Sequence, residues 1–290
     1  MLSENYMGST PTSPGGESAA SAPPGLITTI LPSNGQVLVE ETDELLTTSL
    51  GALREYLVQT PAWGGAPAPT DEFLLMFLRA EVFSAEKAAV RYRKFWEVKV
   101  SLWGEDKAAL PVKALDAMAG LETQVMQIVP GAKDIEGRQI IFVNTANVNK
   151  KVDRMSRVRA VWYIMFAALE DVETQRKGVC LVVTFKNAKI TQIDHKYNKI
   201  AVEMIQGALP VRIGSQNMCH PPPFFRAFWM ILRSFMSRNV RRRVRFAVGT
   251  DAQIVKALGV IVAPENVPHP IGPKEVDFKA WLAERVRSEA

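Results

Sequence analysis

The chain has 290 residues, of which 47% are hydrophobic and 22% charged, enough for a substantial core in one large or two smaller domains. Its two cysteines, Cys180 and Cys219, exclude a disulfide framework or a Cys/His zinc pattern and point to a reducing compartment. No apolar run approaches the ~20 residues of a membrane span, and the start lacks the basic-then-apolar pattern of a secretory signal, so a cytoplasmic protein is expected. The formal net charge of +5 is unevenly spread. Residues 1–70 carry one basic and seven acidic side chains. Residues 204–250 carry eight arginines and no lysine, aspartate or glutamate. Such a single-sign stretch seeks an anionic partner: phosphate, nucleic acid or a membrane surface.

In chain order, residues 1–36 are rich in Ser, Thr, Pro and Gly and are expected to be disordered. Residues 39–60 read as an amphipathic helix with acids in its first turn. A breaker-rich linker, PAWGGAPAPT, follows at 61–70. Thr70 reads as the N-cap of a helix with the face Phe73, Leu74, Phe77 and Leu78. Ser84 reads as the cap of the next, with the face Ala88, Val90 or Arg91, Phe95 and Val98. Residues 37–118 thus form a helical domain, and 119–290 a second unit. In the latter, 124–129, 138–145, 178–185, 212–219 and 244–249 have the texture of strands. Helices are expected at 154–173, 194–209, 223–236, from Thr250 or Asp251 to Leu258, and at 277–288. Strands alternating with helices give an α/β class with a mixed or parallel sheet.

The stretch PPPFFRAFWM at 221–230 is the most unusual. On a helix, Phe224, Phe228, Ile231 and Phe235 form one stripe. Phe225, Trp229, Leu232 and Met236 form the adjacent one. Arg226 and Arg233 lie on the other side. Two readings stand: a core helix packed on the sheet, or a movable lid with one row over a cavity and the other toward a membrane. The adjoining RNVRRRVRF, 238–246, fits a solvated face, a nuclear-import signal, nucleic-acid contact or anionic membrane docking. Arginine at this density suits bidentate phosphate binding.

Catalysis finds no support. Among the three histidines, His195 sits in polar surroundings and His220 directly follows Cys219, a neighbour that a strand would point to the other face. There is no Walker loop, Rossmann fingerprint, GxSxG or HExxH. A non-enzymatic protein without cofactor or metal is expected.

Four stretches in order resemble the CRAL-TRIO lipid-binding family: DEFLLMFLRAEVFSAEKAAVRYRKFWEVK, KDIEGRQIIFV, MIQGALPVRIGSQNM and PPPFFRAFWMILRSFMSRNVRRRVRFAVG. The chain is most similar to the family's branch typified by tocopherol transfer protein. The resemblance implies a mixed β-sheet flooring an apolar cavity, with a helical domain alongside. Its lid is a gate helix carrying Phe224, Phe225, Phe228, Trp229, Ile231, Leu232 and Phe235. It further implies a hydrophobic lipid ligand, exchange at phosphoinositide-containing membranes, and peripheral membrane association. A phosphoinositide-binding adaptor without cargo transfer is the alternative, and nucleic acid is not an expected partner. Arg212 and Arg243 match basic positions of the family's headgroup contacts. Two others read Gly214 and Asn239, which shifts the expectation onto Arg238, Arg241 and Arg242. Further departures are Thr184 and His220, where the family has Asp and Asn, and Val211, where phosphatidylinositol carriers have an acid.

Overall fold

The computed structural model describes residues 28–30 and 35–290. Thr28–Ile30 (β1) pairs antiparallel with Val37–Val39 (β2). The disorder expected over 1–36 falls otherwise on residues outside the described set, apart from Gly35 and Gln36. Gln36 and Val37 are buried, and the Val37 carbonyl accepts from Arg212 Nη2 at 3.0 Å. A long-range arginine, invisible to local composition, anchors this segment.

The helical layer follows. Helix α1 (Asp43–Gln59) begins later than expected because 37–39 is committed to β2. Helices α2 (Asp71–Ala80) and α3 (Ala85–Trp103) pack face to face. The Thr42 and Thr70 hydroxyls each accept from the amide three residues on, at 3.2 Å, satisfying one otherwise orphaned donor per helix. Ser84 has the extended backbone of a cap but makes no capping side-chain bond. Edge-to-face contacts join Phe73 and Phe77 to Tyr92 and Phe95, with centroids 5.2–6.0 Å apart. The buried stripe of α3 is Ala88, Tyr92, Phe95, Lys99 and Leu102, with Val90 turned to solvent. A lysine therefore occupies a position of the apolar stripe. Two short turns, α4 (Glu105–Ala108) and α5 (Met118–Leu121), lead to the sheet.

Strands β3 (Met126–Lys133) and β4 (Gln139–Asn144) form an antiparallel hairpin. Gly137 has φ +81° at its turn, a conformation natural to glycine. Beside it Asp134 accepts from the amides of Glu136 and Arg138 and pairs with the fully buried Arg138 guanidinium at 2.6 Å. This explains the KDIEGR motif as a self-contained charged turn. Helix α6 (Arg154–Ala168) stops short of the expected end because Asp171 caps a new helix, α7 (Val172–Lys177). The remaining strands are β5 (Val179–Thr184), β6 (Ile213–Cys219) and β7 (Val244–Ala247). Helix α8 (His195–Gly207) connects the first two, and α9 (Phe225–Leu232) with α10 (Arg238–Arg242) connects the last two. The five strands lie in sequence order, and β4 to β7 run parallel, giving the mixed sheet expected.

Both faces of the sheet are covered, so β5 reads as a continuous apolar run. Leu181 and Val183 join the large core with α6, α8 and α9. Cys180 and Val182 face the other side, with Ile254 and Leu258 of α11 (Asp251–Leu258). The Thr250 hydroxyl and the Gln253 side chain form a reciprocal capping box at the start of α11. Burial pushes the Cys219 thiol up to about 12, and both cysteines are inert core residues. Helix α12 (Phe278–Ser288) returns to the α6 side, where Arg285 donates to the Tyr163 hydroxyl at 2.8 Å.

Polar joints built on arginines tie the helical layer to the sheet unit. Glu41 accepts from Arg79 of α2 and Arg176 of α7, at 2.8 Å each. Arg91 of α3 donates to the carbonyls of Gln206 and Leu209 at 2.6 and 2.5 Å, placing its charge at the negative end of α8.

Candidate functional site

Helix α9 is seated against the sheet, and its burial cuts across both stripes read from the sequence. Phe225, Phe228, Leu232 and Met236 are buried. Phe224, Trp229 and Phe235 are half-buried. Met230 and Ile231 are 56% and 42% exposed, beside the exposed Arg226 and Arg233. The spacing of the buried row follows the true helical period, and a 3-10 turn at Arg233–Phe235 carries the row to Met236. Phe225 meets Phe185 at the end of β5, centroids 4.7 Å apart, and Trp229 meets Phe246 of β7 at 5.2 Å.

The space beneath α9 is largely occupied by these rings. A cleft of about 60 Å³ opens between Phe224, Phe228, Phe185 and Tyr197, and a void of about 10 Å³ lies beyond Tyr197. One polar latch holds the far end of the segment. The Gln206 amide donates to the Phe235 carbonyl at 3.0 Å and accepts from the Ser237 amide at 2.6 Å. The near end begins at His220, with φ +54°, followed by Pro221–Pro223. His220 Nε2 lies 2.9 Å from Asp251 Oδ1, and its Nδ1 lies 3.4 Å from Thr184 Oγ1. Lys186 closes the cluster on Asp251 at 2.6 Å. The two departures from the family pattern, Thr184 and His220, therefore face each other across the root of α9.

The five candidate phosphate ligands divide into two groups. Arg238, Arg241 and Arg242 are exposed on α10. Arg212 and Arg243 are buried to 7% exposure and line a cleft of about 250 Å³ with Lys87, Arg91 and Asn239. Arg212 donates to the Arg176 carbonyl at 3.1 Å, and Arg243 to the Ile213 carbonyl at 2.8 Å. Glu81, paired with Arg91 at 2.5 Å, is the acid of this cleft. Sequence reasoning missed Lys87 and Arg91, since α3 stands more than 100 residues from the arginine-rich stretch. The i, i+4 spacing of two cations on α3 is the only local signal. Gly214 cannot contribute a basic side chain: a Cβ there would lie 2.6 Å from Arg138 Cδ.

A profile of the CRAL/TRIO domain matches residues 122–272. The chain belongs to the CRAL-TRIO family. This is a family of lipid-binding transfer proteins rather than enzymes. Mouse clavesin-1 is 23% identical over 244 residues, which cover 81% of this chain and 65% of that protein. Human clavesin-2 is 23% identical over 244 residues, 81% of this chain and 71% of its own length. The chain thus spans just under two thirds of the first of these relatives. The crystal structure of Sfh5 superposes with a TM-score of 0.52 at 10% identity, covering 87% of this chain and all of Sfh5, and supports the fold. The basic cleft lies where α3 of the helical layer, with Lys87 and Arg91, meets Arg212 and Arg243 of the sheet unit. Among the described residues no helix is long and apolar enough to cross a membrane.

Proposed function

We propose that this CRAL-TRIO protein binds a hydrophobic lipid beneath α9 and exchanges it at phosphoinositide-containing membranes, as a cytoplasmic, peripherally associated carrier without catalytic activity. The observation that carries the reading is the division of α9. Its inner row holds the helix on the sheet, while Met230 and Ile231 project outward among Arg226 and Arg233, with the α10 arginines next in sequence. An apolar face ringed by cations suits an anionic leaflet, where each basic residue contributes about 1 kcal/mol and each inserted apolar side chain adds to it. Docking would draw the outer residues into the leaflet and break the Gln206 latch, lifting Phe225 and Phe228 from Phe185. In this reading Arg212, Arg243, Lys87 and Arg91 form the headgroup cleft, and Arg238, Arg241 and Arg242 supply general attraction. Arg212 and Arg243 in this cleft support placement with the tocopherol-carrier branch.

The test is lipid transfer between donor and acceptor vesicles. Ile231→Asp with Met230→Asp should abolish transfer while the protein stays folded. Lys87→Ala should reduce the preference for phosphoinositide over other anionic vesicles, and Arg238→Ala with Arg241→Ala should weaken binding to both. Transfer that persists at wild-type rate in the Met230/Ile231 variant sinks the gate. A second reading, a phosphoinositide-binding adaptor without cargo, is favoured by the filled space under α9. It predicts vesicle binding with no transfer and no lipid retained in native mass spectrometry.

A further inference from the structure

Away from α9, the helical layer contains a second cavity. It measures about 330 Å³ and lies between α3, α6 and the linker 67–70. That is within the range of small-molecule sites, about 300–1,000 Å³. Its floor is aromatic: Phe95, Trp96 and Trp162 are buried, and Phe73 and Phe166 are half-buried. Its rim is exposed, formed by Pro67, Ala68, Leu110 and Pro111. The way in is therefore open to solvent and independent of the gate.

One charged side chain lines it. Lys99 is 7% exposed, on the apolar stripe of α3. Its ammonium donates to the Leu110 carbonyl at 2.8 Å and stands 5.0 Å from the Trp96 ring centroid. An ammonium has three donors, and among the described residues this one meets no carboxylate. A buried charge without a counter-ion is costly, and desolvation accordingly pushes its pKa down to about 8. At neutral pH the group is still mostly protonated. The pocket thus offers aromatic walls, an open mouth and one under-compensated cation.

We propose that this pocket is a second ligand site, separate from the cavity under α9, for an amphiphile with an apolar body and a carboxylate head paired to Lys99. The apolar body would lie on Phe95, Trp96 and Trp162, and the carboxylate would supply the missing counter-charge. An uncharged lipid of the same length would gain the walls but not the ion pair.

The experiment compares dodecanoate with dodecanol on the full chain by calorimetry, and follows quenching of tryptophan emission by ω-brominated dodecanoate. Wild-type protein should prefer the acid by roughly 10-fold or more, as a hydrogen bond to a charged group implies. Lys99→Met should erase that preference, with Lys99→Gln as a second variant should the first not fold. The preference should also fade as pH rises past about 8, where Lys99 loses its proton. Quenching should fall in Trp96→Phe with Trp162→Phe, leaving only what Trp63 and Trp103 beside them report, and be kept in Trp229→Phe, which reports on α9. Equal binding of dodecanoate to wild type and both Lys99 variants, or quenching that depends on Trp229, overturns the proposal.

Discussion

Helices α3 and α9 both set aromatic rings beside cations, but only α3 turns one of its cations inward. In α9 the rings Phe225 and Phe228 face inward, while Arg226 and, in the 3-10 turn just after it, Arg233 stay in water. In α3 the rings Phe95 and Trp96 face inward too, but Lys99 goes in with them. In the proposed function, the solvated cations next to exposed Met230 and Ile231 are what would meet an anionic membrane. A cation drawn into an aromatic pocket carries a desolvation penalty that an incoming anion relieves. The fate of a cation beside aromatic rings thus depends on which face of its helix the neighbours cover.

The largest effect that sharpens this comparison is expected at the inner row of α9. Phe225→Ala should cost about 3–5 kcal/mol in chemical denaturation, since it removes a ring packed on Phe185. A cost under ~1 kcal/mol would mean that α9 is only loosely held. Next comes the joint that carries the helical layer. Burial works to raise the Glu41 pKa, but hydrogen bonds and charge from Arg79 and Arg176 outweigh it and hold the group at about 2, against an ordinary 4.5. Its stabilisation, about 3 kcal/mol from the shift, is complete above pH 4.5 and lost as pH falls toward 2. Wild type and Glu41→Gln should therefore differ at pH 7 and converge near pH 2.

Lys99→Met should act in the other direction, stabilising the ligand-free protein by about 1–3 kcal/mol at pH 7, as replacing an unpaired buried charge with an isostere does. The folded pKa lies below the unfolded one, so wild-type stability rises between about 8 and 10.5, and the advantage of the variant shrinks over that window. A variant less stable than wild type at pH 7 would count against an uncompensated charge. The smallest effect on folding is expected on the outside of α9. Ile231→Asp should change stability by no more than about 0.5 kcal/mol while weakening vesicle binding, which separates surface from core on a single helix.

Much of the fold was legible in the sequence because its signals are local. Strands β3, β4 and β5 declare themselves by β-branched runs, β7 by alternation, Thr70 and Thr250 by their position before apolar periodicity, and α9 by its density of aromatics. The arginine-rich stretch and the order of the four family-like segments are likewise readable along the chain. What could not be read depends on which residues meet across long separations. That Arg212 reaches Val37 and orders β2, that Lys87 and Arg91 join Arg212 and Arg243 around one cleft, and that Arg138 leaves no room at Gly214 are all facts of packing. The inward turn of Lys99 is another. A 3.6-residue period places a side chain on a stripe, but only the partners laid against that stripe, here Phe73, Trp162 and the 67–70 linker, decide whether it ends in water or in a pocket.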